Sequence, residues 1–338
     1  MKYIKQLDSI RAFAVICVVI CHWVPINNII QRLTFWTLGS IGVDMFFVLS
    51  GFLITKILFD SANKAESGEL TKLQVAKNFY IRRSLRIFPI YYLIIFFLLF
   101  FQKQTGMDVQ SGLVYYLTYT SNFYFFHKGN WDGISHLWSL AVEEQFYLIW
   151  PWLILFINRK YYLHIILSFI AVSVAAQYFL ADVKLSSVLT ITCFDAFGLG
   201  ALLAWVITFR VKELNRFYKG ISIAACIAFI FFITGLIQQK WAYIPVRPLI
   251  SIISLWVITY VVLNQETGKL KFKFFFNNSI LIFLGKISYG IYLYHDIIPG
   301  TLNAKIINVY FNPLLPDILA KKYWGQLFLI ENIILLIV

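Results

Sequence analysis

Apolar residues run in long blocks along this chain, and polar residues gather in the gaps between them. Blocks of about 17 to 22 mostly apolar residues suit helices that cross a hydrocarbon core about 30 Å thick. They fall near 10–26, 37–58, 87–102, 139–157, 161–180, 188–208, 219–238, 247–264, 279–299 and 325–338. The pattern predicts an all-α fold, a polytopic integral membrane bundle of about ten transmembrane helices. The last block is the shortest and has no charged flank, which reads as a short final span or a cut end. No internal repeat or soluble second domain breaks the series, so residues 1–338 are expected to form a single transmembrane domain.

Composition agrees with that pattern. Hydrophobic residues make up 60% of the 338 and charged residues 13%, which excludes an ordinary soluble domain. The net charge of +13 is spread between apolar blocks and is not gathered in one patch, so a nucleic-acid partner is not indicated. Threading the chain with its N-terminus inside puts twenty of the 29 basic residues in segments 1–11, 56–86, 158–164, 209–219 and 265–286. That bias sets the orientation by the positive-inside rule. Trp23, Trp36, Trp131, Trp138 and Trp241 then lie at outer borders, where interfacial aromatics belong. Cys17, Cys21, Cys193 and Cys226 all lie inside apolar blocks, which indicates neither a disulfide framework nor a metal site. Lys2 and Lys5 precede the first block with no small-residue cleavage site after it, so that block reads as a retained helix.

The ionisable residues inside the blocks carry the chemistry, because placing such groups in a bilayer is costly. In L-D-S-I-R and the residues that follow it, Arg11 and His22 lie eleven apart, on one helix face and about 16 Å from each other. By depth, Asp44 falls in the outer third of the second span and Ser50 near its middle. Glu143 and Glu144 fall just below the outer end of the fourth span, with His136 at its mouth. Asp195, His295 and Asp296 also fall in outer halves, while Lys286 is inner. Together they predict one polar chamber in the outer half of the bundle. Arg82, Arg83 and Arg86 end a basic helix that leads into the third span, either as an anchor on anionic lipid or as a phosphate site. The aromatic outer segment 103–138 is either an interfacial belt or a surface for stacking on a sugar. No two histidines stand at i, i+4, and neither a Gly-X-Ser-X-Gly elbow nor a P-loop or dinucleotide fingerprint occurs. From the residues alone, two classes stay open. One is a membrane enzyme with a histidine base; the other is a proton-coupled transporter or flippase for a glycan or small solute.

Five strings narrow the choice. They are L-D-S-I-R with His22 eleven residues after its arginine, Gly39-S-I-G-V-D-M-F-F-V-L-S-G-F-L-I-Thr55, Phe79-Y-I-R-R-S-L-R-I-F-P-I-Tyr91, His136-L-W-S-L-A-V-E-E-Q-F-Y-L-I-W-Pro151 and Leu284-G-K-I-S-Y-G-I-Y-L-Y-His295. In this order they resemble membrane acyltransferase family 3, the O-acyltransferases of bacterial surface glycans, over essentially the whole chain. The resemblance implies a multi-pass protein of the bacterial cytoplasmic (inner) membrane with its N-terminus in the cytoplasm. It would transfer an acyl group, usually acetyl, from cytoplasmic acyl-CoA to a hydroxyl of a cell-surface polysaccharide, such as lipopolysaccharide, or of a lipid-linked sugar precursor. Acetyl-CoA enters as cosubstrate, without a metal.

Carried over by position, His22 is the expected catalytic residue, with Asp44, Glu143 and Glu144 as the carboxylates that orient or assist it. Arg11, Arg82, Arg83 and Arg86 are expected to hold the CoA phosphates, and His136, Trp138, His295 and Ser50 to line the substrate path. Two departures stand out. Relatives often carry an arginine two places before the aspartate matching Asp195, where this chain has Cys193. Some members also continue into a soluble esterase-like domain that this chain lacks, so transfer is expected to finish within the bundle or with a partner.

Overall fold

The computed structural model describes residues 3–23, 29–131, 133–238, 246–265 and 270–297. Every regular element among them is helical, the arrangement that lets each backbone N–H and C=O in a bilayer find a partner within its own segment. The long helices are α1 (Gln6–Trp23), α2 (Ile29–Glu66), α3 (Lys72–Phe100), α4 (Leu137–Phe156), α5 (Tyr162–Phe179), α6 (Phe194–Phe209), α7 (Leu214–Gln238) and α8 (Val246–Asn264). Two short ones follow, α9 (Ser279–Lys286) and α10 (Ser288–Tyr294).

Among the described residues, seven helices are long and apolar enough to span a membrane. They match the blocks predicted at 10–26, 37–58, 87–102, 161–180, 188–208, 219–238 and 247–264. The block at 139–157 forms α4 as expected, but Glu143, Glu144 and Gln145 dilute its hydropathy. The block at 279–299 is not one helix. It divides at Ile287 into α9 and α10. The block at 325–338, Trp241 and the side chain of Trp36 lie outside the described residues. The basic stretch ending in Arg82, Arg83 and Arg86 is helical and continuous with the third span, opened by a capping box between Thr71 and Gln74.

Burial orders the helices. Two thirds of the apolar windows of α2 and of α6 are buried, against 17% for that of α7, so the bundle is built around α2 and α6. These two helices cross backbone to backbone. A Cβ on Gly51 would collide with the Phe197 backbone, and one on Gly200 with the carbonyl of Val48 and the amide of Phe52. Small residues at such crossings replace the hydrophobic driving force that lipid removes. Aromatic rings then fill the groove: Phe197 stacks on Phe47 (4.7 Å) and on Phe146 (4.2 Å), joining α2, α4 and α6. The Trp150 indole donates to Thr55 Oγ1 at 2.8 Å and ties α4 to α2 a second time. Outward, α3 and α7 present Leu93, Phe96, Phe97, Ile227, Ile230 and Phe231, a surface suited to acyl chains.

Gly285 sets the third contact. It seats α9 against the Asp8 backbone so closely that no Cβ would fit. The chain therefore tracks α1 from Asp8 onward, and α10 ends beside the other end of α1. That course brings His295 to His22.

Gly200→Val is expected to lower the melting temperature of the purified protein by several degrees or more, because the collision is with backbone and not with a movable side chain. Gly220→Ala, where a Cβ meets open space in α7, should leave it unchanged or slightly raised. Fluorescence-detected melting in detergent compares the two.

Candidate active site

Two cavities share a wall in the middle of the bundle. One, of about 460 Å³, is lined by His22, His136, Trp131, Trp138, Arg247 and Asp296, among others. The other, of about 90 Å³, is lined by Arg11, Ser50, Arg83, Arg86, Glu143 and Tyr147, among others. Val43 and Tyr292 line both. The single chamber predicted from depth is thus two chambers, with the histidines in or against one and the arginines in the other.

The histidine chamber is assembled from three segments. His22 ends α1, His136 precedes α4 and His295 follows α10. The rings of His22 and His295 meet edge to face at 4.8 Å between centroids, and those of His295 and His136 at 5.0 Å. Backbone carbonyls fix where the protons lie, since a carbonyl only accepts. His295 Nδ1 is 2.6 Å from the Tyr292 carbonyl, so Nδ1 carries the hydrogen and Nε2 is left as acceptor. That Nε2 lies 3.2 Å from His22 Nδ1, which is also 2.9 Å from the Val18 carbonyl. His22 Nδ1–H is therefore shared between two acceptors, and its lone pair is confined to Nε2. His22 is exposed to the chamber, whereas His295 is wholly buried. The Trp23 indole donates to the His295 carbonyl at 2.6 Å and holds that chain segment in place.

His136 and Tyr292 complete this wall. His136 Nε2 reaches the Leu293 carbonyl at 3.3 Å, and its Nδ1 lies 3.5 Å from Asp296 Oδ2. The Tyr292 hydroxyl is 2.5 Å from Ser139 Oγ and donates to the His136 carbonyl at 2.9 Å.

In the arginine chamber the Ser50 hydroxyl donates to Glu143 Oε1 at 2.6 Å, and the Tyr147 hydroxyl donates to Ser50 Oγ at 3.2 Å. Arg83 lies over the Tyr147 ring, 5.3 Å from its centroid. Arg11 is braced by Asp8 at 2.7 Å. Arg82 is exposed and lines neither cavity. Glu144 is half-buried and lines neither.

The partner of the His22 imidazole is His295, not Asp44 or either glutamate, because those carboxylates are engaged elsewhere or lie off the chamber. Asp44 is buried in an ion pair with Arg247, Nε to Oδ1 at 2.7 Å. Asp195 is buried behind the cavities, held by Ser173 and Gln177, each at 2.9 Å. Sequence reasoning passed over Arg247. Its signal was a cation at the predicted outer border of a span, on the side that the charge bias would leave poor in basic residues. Arg247 Nη1 also donates to Cys193 Sγ at 3.0 Å, so a guanidinium from α8 does reach the Cys193 position. Gln145, beside the paired glutamates, was likewise unassigned. It donates to the Tyr119 carbonyl (2.8 Å) and to Asn122 Oδ1 (2.9 Å) and accepts from Thr190, tying the loops near the chamber to α4.

Residues 4–337 match the family model described as an acyltransferase domain. The chain belongs to that family, membrane acyltransferase family 3. It is 28% identical over 330 residues to the O-acetyltransferase OatA of Staphylococcus aureus, covering 87% of this chain and 50% of that protein. It is 32% identical over 322 residues to the peptidoglycan O-acetyltransferase OatA of Listeria monocytogenes, covering 87% and 49%. The chain thus spans about half the length of the curated relatives it matches. No solved structure matches it.

Asp44→Ala is expected to destabilise the fold by about 3–5 kcal/mol, since it strands a guanidinium in the bundle. Asp44→Asn, which keeps an acceptor for Arg247, should cost clearly less. Thermal unfolding of both variants beside the wild type measures the difference.

Proposed function

We propose that this chain transfers an acetyl group from acetyl-CoA to a hydroxyl of a cell-surface polysaccharide or of its lipid-linked precursor. The observation that carries this reading is the His22 imidazole. It is accessible within a cavity, its lone pair is confined to Nε2, and that cavity meets an arginine-lined one across Val43 and Tyr292.

In this reading Arg83 and Arg86, with Arg11 deeper, receive the CoA phosphates, for which guanidinium forks are geometrically suited. The pantetheine arm passes Ser50 and Glu143, and the thioester crosses between Val43 and Tyr292. The acceptor sugar lies in the larger chamber against Trp131 and Trp138, whose rings offer flat apolar faces. His22 Nε2 takes the proton of the acceptor hydroxyl as its oxygen attacks the thioester carbonyl carbon. The CoA thiolate leaves and recovers that proton. His295 Nε2, accepting from His22 Nδ1–H, steadies the imidazolium between the two steps, the part a carboxylate plays in a hydrolase triad. His136 and Asp296 hold the rim of the chamber.

The basic residues gathered on one side support a cytoplasmic-membrane protein with its N-terminus in the cytoplasm. The donor then enters from the cytoplasm and the sugar from the opposite face. The name of the Listeria relative makes a peptidoglycan sugar the first acceptor to assay.

His22→Ala is expected to lower the turnover of acetyl transfer by about 10²–10⁴-fold with acetyl-CoA affinity unchanged. Arg83→Ala should do the reverse, weakening acetyl-CoA binding by about tenfold or more, as loss of a charge-assisted contact requires. Val43→Trp should leave the donor bound but stop transfer. Calorimetric acetyl-CoA binding and thiol-release kinetics separate these effects. A His22→Ala protein that acetylates at the wild-type rate would rule the mechanism out.

A further inference from the structure

Among the described residues lining the histidine chamber, Arg247 is the one arginine or lysine. Arg11, Arg83 and Arg86 all lie on the other side of the shared wall, so the cations suited to donor phosphates are accounted for without it. Its guanidinium is rigidly held. Nε donates to Asp44 Oδ1, and Nη1 is within 2.9 Å of the Ser187 and Thr192 carbonyls and 3.0 Å of Cys193 Sγ. The Trp138 ring lies beneath it, 6.0 Å from guanidinium carbon to centroid. Nη2 makes no hydrogen bond with any described residue. The side chain is 12% exposed, and it faces the chamber that His22 also faces.

Asp44 balances this charge from behind. A neutral pair is a weak trap for an anion at rest, yet an N–H fixed in a dry site gains strength as a facing oxygen acquires charge. Removing five donors from solvent is costly, and the four bonds to Arg247 compensate only those on Nε and Nη1.

We propose that Arg247 Nη2 is the oxyanion donor of the transfer reaction, with Asp44 as the residue that positions it. The inference rests on the acetyl-transfer reading above. As the acceptor oxygen forms its bond to the thioester carbon, its proton passes to His22 Nε2. The carbonyl π pair moves onto the acyl oxygen, where Nη2–H meets it. When the C=O bond re-forms, the C–S bond breaks and the CoA thiolate takes the proton from His22. Arg247 thus binds the transition state more strongly than either substrate.

The test uses the full chain in lipid nanodiscs with acetyl-CoA as donor and an N-acetylglucosamine pentamer as acceptor probe. Thiol release with and without the pentamer gives kcat and the acceptor KM, and calorimetry gives the acetyl-CoA Kd. Arg247→Gln is expected to lose about 10²–10³-fold in kcat, with acceptor KM and donor Kd within about threefold of wild type. Arg247→Lys should recover part of that loss, since it restores the charge without the planar fork. Asp44→Asn should lower kcat less than Arg247→Gln and in the same sense. The proposal is overturned if Arg247→Gln keeps kcat within about tenfold, or if acceptor KM rises while kcat holds, which would make Arg247 an acceptor anchor. It is also overturned if donor Kd worsens in step with kcat, which would make the pair structural. A wild-type chain that binds acetyl-CoA but shows no pentamer-dependent thiol release overturns the transfer reading itself, a result distinct from all of these.

Discussion

The arrangement depends on one hydrogen atom, the one on His22 Nδ1. Because it is shared between the Val18 carbonyl and His295 Nε2, the ring presents a lone pair and not an N–H to the chamber. The Val18 contact comes free with the helix, four residues back along α1. The His295 contact does not. It requires the break at Ile287, the seating of Gly285 on Asp8, and the indole of Trp23 on the His295 carbonyl. A neutral imidazole suits this place better than a carboxylate would. It accepts the hydrogen without adding a full charge to a buried site, which a bilayer would penalise.

Charge is segregated across the shared wall. On one side Arg83 and Arg86 face a narrow cavity together with Ser50 and Glu143; on the other, imidazole and indole rings, the Asp296 carboxylate and one guanidinium paired with Asp44 face a wider one. Val43 and Tyr292 stand between, and Tyr292 is fixed by Ser139 and by the His136 carbonyl. Under the proposed transfer, such a division would suit two substrates of unlike character, a polyanionic donor and a neutral carbohydrate, that meet only at the reacting atoms. It also explains why α4 tolerates Glu143 and Gln145 in mid-helix. Glu143 is bound by Ser50, and Gln145 fastens the loops near the histidine chamber.

Much of the fold was legible from hydropathy alone. The apolar blocks became helices wherever the chain is described, since a long apolar run has few other ways to satisfy its backbone. The break in the block at 279–299 was hidden, because Gly285 and Ser288 look ordinary in sequence and matter through what they pack against. In the site, the eleven-residue spacing of Arg11 and His22 was informative. Those two residues do lie on one face, but they open into different chambers. Depth placed Asp44, Glu143 and His295 at similar levels yet could not tell which helix faces touch, so it merged two cavities into one and did not foresee the pairing of Asp44 with Arg247. Arg247 was invisible to motif reading because its partners come from α2 and from the turns at 186–193, far away in sequence. Arg82 shows the converse limit: three arginines clustered in sequence read as one group, whereas successive residues on a helix point in different directions and only Arg83 and Arg86 line the cavity.

The most direct test is the protonation state of the His22 ring. Nitrogen-15 NMR of protein labelled at histidine, with His22 assigned by a His22→Gln variant, reports which ring nitrogen carries hydrogen in the resting state. The account predicts a neutral ring with hydrogen on Nδ1 and a bare Nε2, and a loss of that preference in His295→Ala. A His22 ring protonated on Nε2, or one whose tautomer is indifferent to His295, would contradict it.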